Sequence, residues 1–266
     1  MTPALAPETL KRIQEALKEA VRAISPFIPG MVKAEFKSGD DPVTEADRAA
    51  NRVLREILVR NGEGWLSEES VDDFTRLEKS RVWVVDPLDG TREFVAGIPE
   101  WCISVGLVEN GKAVAGGICN PATKETFLGS LEAGVTYNGS RASCSEKKSL
   151  KGATVLASRS EVQRGEWKTF RNRSFVVKPM GSVAYKLALV AAGLADATWT
   201  FSPKNEWDVA AGVALVNAAG GITRRLDNNS LTLNNRNCLL PNLVASGARM
   251  AGELAAFLEQ TEATVQ

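Results

Sequence analysis

Histidine is absent from this chain of 266 residues, and its absence excludes several common kinds of catalytic site. Histidine is the usual general base near neutral pH and a frequent zinc ligand. Without it, Ser-His-Asp and Cys-His nucleophilic sites of the ordinary kind cannot form. A hydrolase with this sequence therefore has to generate its nucleophile with other groups.

Cysteine is also sparse. The four cysteines, Cys102, Cys119, Cys144 and Cys238, are scattered and include no Cys-x-x-Cys pair. In a chain of this length, that pattern indicates reduced thiols and no thiolate zinc site. We therefore expect a cytoplasmic protein in which the cysteines are small buried side chains.

Net charge and long apolar runs are missing as well. Lys plus Arg and Asp plus Glu both number 32, so no overall charge indicates a nucleic acid polymer or a membrane surface as a partner. No apolar run approaches the roughly 20 residues that span a bilayer, and the first residues do not resemble a secretion signal. A phosphate-containing partner would have to be bound by a local site.

The periodicity of apolar residues predicts helices and strands in the first half of the chain. Three- and four-residue steps predict helices over residues 10–24 and 43–60. A short β-rich run over residues 81–85 stops at Asp86-Pro87. Residues 103–108 and 113–119 flank Asn110-Gly111, a strong hairpin signal, and residues 125–129 extend the predicted antiparallel sheet.

The pattern changes to alternating strands and helices in the second half. The polar segment over residues 137–151 is the candidate domain boundary, and the predicted elements beyond it are a strand at 153–157, a helix at 183–192, a strand at 195–201 and a helix at 209–219. We predict an α+β domain over residues 1–145 and an α/β domain over residues 146–266, which together complete one site.

Carboxylates close together in sequence suggest a metal site. Asp86 follows the predicted strand, where α/β proteins often place functional groups, and Asp89 returns to the same side if the loop curls like a helical turn. Two such carboxylates repel each other unless a proton or a cation intervenes, and Mg²⁺ suits an all-oxygen ligand set. The alternative is a solvated turn, because Asp, Pro and Gly are ordinary turn formers.

Three further acidic segments have simple explanations when each is taken alone. Glu68-Glu69 is explained by a surface pair, and Asp208 by the N-cap of an apolar helix. Asp47 follows Thr44 by three residues, which is the spacing of a capping box.

Taken together, these segments resemble the inositol monophosphatase superfamily of lithium-sensitive, magnesium-dependent phosphatases. The resemblance rests on three motifs in the family's order and at about its spacings: Glu68-Glu69, the run from Trp83 to Thr91, and the run from Trp207 to Gly212. The segment from Asp41 to Asp47 and Gly220-Gly221 also resemble the family, so the match spans nearly the whole chain. It implies an α/β protein with alternating αβαβα layers, and a homodimer.

The resemblance also implies a set of metal ligands. It assigns two or three Mg²⁺ ions to Glu68, Asp86, Asp89, Asp208 and the backbone carbonyl of Leu88. Metal activation of water also accounts for a hydrolase without histidine.

The resemblance implies the remaining catalytic roles too. Asp47, Thr91 and Glu68 are the catalytic residues, with Thr91 and Asp47 positioning the attacking water and helping to deprotonate it. The amides of Gly90 and Thr91 hold the phosphate.

The substrate is less clearly indicated. In the inositol-phosphate branch, a glutamate about seven residues before the Trp-Asp aspartate contacts the inositol hydroxyls, and Phe201 stands at that offset here. An aromatic ring suits a nucleobase better than vicinal hydroxyls. Glu206, next to Trp207, is a poor substitute for that glutamate by position, although loop geometry can change this.

Segments 157–160, 181–186 and 202–206 are more similar to the bisphosphate nucleotidases, which remove the 3′-phosphate of 3′-phosphoadenosine 5′-phosphate. A second phosphate needs a cation apart from the metals, and Arg159, Lys186 and Lys204 are the candidates, although either lysine is also explained as a solvated surface residue. We favour this substrate over inositol 1-phosphate or a sugar phosphate. An inactive metal-binding regulatory subunit is a further alternative.

Overall fold

The structure is a computed structural model that describes residues 6–36, 42–60, 62–170 and 173–265. Asp41 of the family-like segment and Asn61, the residue directly after the predicted helix over residues 43–60, lie outside the described residues. The α-helices in these ranges are α1 (Ala6–Ile24), α2 (Glu45–Leu58), α3 (Thr91–Val95), α4 (Arg159–Arg164), α5 (Val183–Ala191), α6 (Glu206–Ala218) and α7 (Ala251–Val265). None of them combines the length and apolar character needed to cross a bilayer.

The strands in the same ranges form two large sheets and two small ones. They are β1 (Glu35–Phe36), β2 (Pro42–Val43), β3 (Gly64–Ser67), β4 (Arg81–Asp89), β5 (Cys102–Glu109), β6 (Lys112–Asn120), β7 (Glu125–Ser130), β8 (Gly134–Tyr137), β9 (Ser140–Ala142), β10 (Thr154–Ser158), β11 (Val176–Met180), β12 (Ala197–Thr200), β13 (Lys204–Asn205), β14 (Gly221–Arg224), β15 (Leu239–Leu240) and β16 (Leu243–Gly247).

The larger sheet has seven strands in sequence order from β3 to β9. Strand β3 runs parallel to β4, and the other neighbours are antiparallel. Its β5–β6 hairpin turns at Asn110 and Gly111, which both have positive φ, as a two-residue hairpin turn requires. The predicted hairpin is confirmed.

The second large sheet has five strands in the order β11-β10-β12-β16-β14. Strand β10 is parallel to both of its neighbours, whereas β16 is antiparallel to β12 and β14. The first sheet ends at Ala142 and the second begins at Thr154. The division into domains near residue 145 stays a prediction, because α6 follows strands of the second sheet yet packs on the first.

Alternating side chains of the strands create the layers. On β4, Trp83 packs with α1 and α2 on one face, while Val84 packs with α5 and α6 on the other. On the second sheet, Leu156 joins the α5–α6 core, whereas Val155 joins a third core with Leu254 of α7. The order is helices, sheet, helices, sheet, helices, which confirms the predicted αβαβα architecture.

Two glycines let α6 lie directly on the seven-stranded sheet. Gly106 and Gly116 are paired in strands β5 and β6. A Cβ atom at Gly116 would lie 2.5 Å from the carbonyl oxygen of Ala211, and one at Gly106 would lie 2.8 Å from its amide nitrogen. This close approach fixes the position of α6 against β4, and hence of Asp208 in the first turn of α6.

We expect Gly116→Ala to lower the free energy of unfolding by about 1–3 kcal/mol, because the added methyl group overpacks against the backbone of α6. The matched control is Gly252→Ala in α7, where an added Cβ meets nothing within 4 Å. Helix propensity predicts that this control leaves stability unchanged or raises it by up to about 1 kcal/mol. Urea unfolding of the two variants measures both effects, and equal midpoints would contradict the packing argument.

Candidate active site

A cleft of about 530 Å³ is lined by residues from both large sheets and their helices. Four predicted metal ligands line it: Glu68, Asp86, Asp89 and Asp208. Glu68 directly follows β3, the two central aspartates lie near the carboxyl end of β4, and Asp208 is in the first turn of α6. The fold thus brings three distant segments to one cleft.

A β-bulge places Asp86 and Asp89 on the same side of β4. Asp86 pairs with Ser104 and Asp89 with Cys102, so three residue steps on β4 correspond to two on β5. In a regular strand, residues three apart face opposite sides, and the bulge removes this difference. The prediction that the strand stops at Asp86-Pro87 was wrong, because β4 continues through Asp89 with proline at the bulge. The bulge, and not a helical turn, brings Asp89 to the same side as Asp86.

The start of α5 holds Asp89. The hydroxyl of Ser182 and the amide of Ala184 donate to Oδ2 of Asp89 over 2.7 and 2.6 Å. Ser182 has a φ of +50°, a rare and strained conformation for a residue with a side chain. Such strain persists where surrounding contacts impose it, and here the contact joins the second half of the chain to the end of β4.

Asp208 is not the N-cap of its helix. Asn205 takes that position, and its amide donates to Oδ2 of Asp208 over 2.9 Å in a capping box. The interpretation of Asp208 as the N-cap was therefore wrong, because Asp208 is the third residue of the helix. The capping box fixes one carboxylate oxygen at the start of α6.

The acidic side chains repel one another electrostatically. Burial raises the pKa of Asp86 well above its ordinary value, and the charges of Glu68, Asp89 and Asp208 raise it further. Burial likewise raises the pKa of Asp208, with Asp89 and Glu68 adding to the effect. Such mutual repulsion is relieved when a cation binds between the groups.

These residues fit Mg²⁺ by their donor chemistry. In each aspartate of the cluster, one carboxylate oxygen accepts hydrogen bonds and the other accepts none within the described ranges. For Asp86, the donor is the amide of Leu88 over 3.0 Å. The donors are hard oxygens without nitrogen or sulfur, which favours Mg²⁺. In the part of the chain that the structure describes, no group of three acidic or cysteine side chains lies close enough together to hold a metal ion as it stands.

Thr91 and Asp47 are in direct contact beside this cluster. The Thr91 hydroxyl lies 3.1 Å from Oδ1 of Asp47 and 3.0 Å from the carbonyl oxygen of Leu88. Asp47 also accepts from the amide and hydroxyl of Thr44, so the predicted capping box is present. The capping role and the contact with Thr91 are therefore combined in one carboxylate, whose pKa is raised mainly by burial.

Gly90 and Thr91 present backbone amides at the cleft. Gly90 has a φ of +97°, and a Cβ there would lie 2.8 Å from the carbonyl oxygen of Glu100, so only glycine fits. Both residues line the cleft at the start of α3. Within the described ranges neither amide donates a hydrogen bond, which leaves both donors available to an anion.

Arg159 lines the cleft, but its charge is already paired. Its guanidinium donates to Glu100 and lies 3.7 Å from Glu93. The same Glu100 oxygen accepts from the amide of Gly181 over 2.7 Å. Arg159 thus joins α3 and its following loop to the turn before α5.

Lys186 also lines the cleft, and the interpretation as a solvated surface lysine was wrong. The residue is 4% exposed, and its ammonium donates to the carbonyl oxygens of Ser182, Gly181 and Met180 over 2.8, 3.3 and 3.4 Å. Burial lowers its pKa to about 8. Its donors stabilise the strained turn that holds Asp89.

Glu206 and Phe201 lie outside the lining of the cleft. Glu206 is fully buried, and its carboxylate accepts from the amides of Asn234 and Asn235 over 2.6 and 2.9 Å. Phe201 stacks on Phe170 with ring centres 5.8 Å apart. Glu206 is therefore not placed to contact a substrate in the cleft, and Phe201 is not placed to stack on a base there, in contrast to the possibilities raised from the sequence.

Ser182 is a site residue that was not predicted. Gly181-Ser182 before an apolar helix is an N-cap signal, and the side chain of Ser182 does accept from the amide of Tyr185 over 3.0 Å. That signal indicates a helix start, but nothing in it indicates the bond to Asp89.

Comparison with known proteins agrees with this arrangement. A sequence model described as the inositol monophosphatase family matches residues 5–262. An inositol-1-monophosphatase of Rhizobium meliloti is 34% identical over 199 residues, 71% of this chain and 74% of the relative. A fructose-1,6-bisphosphatase/inositol-1-monophosphatase of Thermotoga maritima is 33% identical over 219 residues, 78% of this chain and 81% of the relative.

A solved structure with the same fold is CysQ from Bacteroides thetaiotaomicron, described as a bacterial member of the inositol monophosphatase family. It superposes with a TM-score of 0.76 at 27% identity, covering 91% of this chain and 97% of that one. The likeness therefore extends over almost the whole length of both proteins.

We expect Asp86→Asn to raise the melting temperature of the metal-free protein by about 2–6 °C, because it removes a buried, repelled carboxylate. Millimolar Mg²⁺ stabilises the wild type by binding the folded state, and the variant loses most of that shift. Thermal unfolding with EDTA and with Mg²⁺ measures both effects. The exposed-site control Asp227→Asn keeps the wild-type response, and an equal Mg²⁺ shift in Asp86→Asn would contradict the metal site.

Proposed function

Because the chain belongs to the inositol monophosphatase family, we propose that it is a magnesium-dependent phosphatase whose preferred substrate is 3′-phosphoadenosine 5′-phosphate. The observation that carries the phosphatase assignment is that four carboxylates from three segments line one cleft beside the Thr91–Asp47 pair. The family acts on small phosphorylated substrates. Its name alone leaves open which phosphate ester this member hydrolyses.

Glu68, Asp86, Asp89, Asp208 and the carbonyl oxygen of Leu88 would hold two or three Mg²⁺ ions. When bound, such ions lower the pKa of water, orient it in line with the phosphorus and stabilise the leaving alkoxide. Support comes from the all-oxygen donors and from their mutual repulsion in the cleft.

Thr91 and Asp47 orient the attacking water and draw a proton from it. The Thr91 hydroxyl has one proton and two acceptors within 3.1 Å, so it donates to Asp47 or to Leu88 while its lone pairs accept from the water. Asp47 is held by Thr44 and cannot swing away easily. Glu68 is the third catalytic residue by resemblance and lines the same cleft.

The amides of Gly90 and Thr91 bind the phosphate group that is cleaved. Both are available donors at the cleft, and backbone amides at a helix start favour negative charge. The water oxygen bonds to phosphorus, the ester P–O bond breaks, and the leaving alkoxide is protonated. Inorganic phosphate and an alcohol are the products.

The choice of 3′-phosphoadenosine 5′-phosphate is supported by basic side chains in the cleft and by segments similar to bisphosphate nucleotidases. The second candidate is inositol 1-phosphate or a sugar phosphate, favoured by the names of the two sequence relatives.

A regulatory role without catalysis is the least supported alternative, because every predicted ligand and water-positioning residue is present. The homodimer and the cytoplasmic location stay predictions.

We expect Asp89→Asn and Asp208→Asn to lower kcat by more than about a hundredfold, because each removes charge from the metal site. Circular dichroism stays that of the wild type. EDTA abolishes activity, Mg²⁺ restores it, and lithium inhibits it. The surface control Asp73→Asn keeps wild-type rates, and near wild-type turnover of either site variant in saturating Mg²⁺ would refute the assignment.

A steady-state panel decides the substrate: 3′-phosphoadenosine 5′-phosphate, inositol 1-phosphate and fructose 1,6-bisphosphate. We expect the first to have the highest kcat/KM. A far higher value for inositol 1-phosphate would overturn the substrate proposal and leave the mechanism intact. Tight Mg²⁺ binding without turnover of any of the three would favour the regulatory alternative.

A further inference from the structure

Basic side chains that line the cleft differ in how fully their charges are engaged. Arg159 is paired with Glu93 and Glu100, and Lys186 donates to three carbonyl oxygens. The charges of both residues are therefore already shared with protein groups. Arg92 has a protein partner as well.

Arg164 stands at the outer edge of the cleft. Its side chain is about half exposed, and its guanidinium bonds to Glu166 over 2.6 Å and to the hydroxyl of Ser202 over 2.8 Å. An exposed ion pair of this kind contributes little free energy.

Lys204 is different, because it is sheltered and weakly engaged. Its side chain is 14% exposed, and its ammonium lies 3.6 Å from Glu161 and 3.4 Å from the carbonyl oxygen of Pro203. Within the described ranges no closer partner is present. An ammonium group has three donors, so its hydrogen-bonding capacity is largely unused.

Glu161 does not depend on Lys204 for its hydrogen bonds. Its fully buried carboxylate accepts from the Thr200 hydroxyl, from the Trp167 indole over 3.0 Å and from the Ser202 amide over 3.3 Å. Lys204 can therefore turn toward a ligand while Glu161 keeps these donors.

The backbone and the neighbouring wall make this position suitable for an anion. Lys204 lies in β13, which pairs with β15. The residue after it, Asn205, is the N-cap of α6. Ser160 and Gln163 of α4 line the same cleft and add uncharged donors. Phosphate accepts several such bonds and pairs well with a lysine point charge.

We propose that Lys204 binds the second, uncleaved phosphate of the substrate, so that the enzyme prefers bisphosphates to the matching monophosphates. The inference rests on the proposed phosphatase function and names the class of its substrate. A nucleoside bisphosphate and a sugar bisphosphate share this chemistry. Lys204, not Arg159 or Lys186, is then the residue that determines the preference.

The test compares kcat/KM within two matched pairs in Mg²⁺: 3′-phosphoadenosine 5′-phosphate with adenosine 3′-monophosphate, and fructose 1,6-bisphosphate with fructose 1-phosphate. A charge-assisted contact predicts that the wild type favours one bisphosphate by about ten- to a hundredfold. Lys204→Gln brings that ratio near one, mainly by raising KM for the bisphosphate, and Lys204→Arg retains most of it. The pair that shows the preference identifies the nucleotide or the sugar source.

The control Lys168→Gln removes an exposed lysine outside this cleft and keeps the wild-type ratio. Melting temperatures show whether Lys204→Gln is folded, and the wild-type ratios remain decisive if it is not. Three results would overturn this inference but not the proposed function: wild-type ratios near one in both pairs, an unchanged ratio in Lys204→Gln, or loss of the preference in Arg159→Gln instead. No turnover of any ester would overturn the proposed function together with it.

Discussion

The repulsion among buried carboxylates at the end of β4 is the constraint on which the rest of the site depends. Asp86, Asp89 and Asp208 are held within reach of one another although their charges oppose it. A bulge, a helix start and a capping box each fix one of them by a hydrogen bond from a backbone amide. The fold therefore maintains an unfavourable concentration of charge, which is the arrangement that a divalent cation stabilises.

The acidic residues were predictable because they stand in short motifs, and the β5–β6 hairpin because its turn has a local signal. The bulge was not, since the register between β4 and β5 depends on pairing along the whole strand. Ser182 was missed for a similar reason: its partner, Asp89, is remote in sequence and in the other half of the molecule. Resemblance supplied the αβαβα order, which composition alone could not.

A charged residue in a cleft need not be available to a ligand. Arg159 and Lys186 both line the cleft as expected. Their hydrogen bonds, however, stabilise the turn that donates to Asp89, directly for Lys186 and through Glu100 for Arg159. Sequence indicates only the charge of a side chain, whereas its availability depends on carboxylates and carbonyl oxygens contributed by other elements. Lys204, the third candidate, has only long contacts, to Glu161 and to the carbonyl oxygen of Pro203.

The bond from Ser182 to Asp89 joins the two halves of the molecule at the proposed catalytic centre. A small slide of the five-stranded sheet against the seven-stranded one would release Asp89 while every helix and strand remained intact. Heat inactivation of this enzyme should then begin below the temperature at which its secondary structure is lost. Activity would then report on the contact between the two sheets, whereas circular dichroism would report on the sheets themselves.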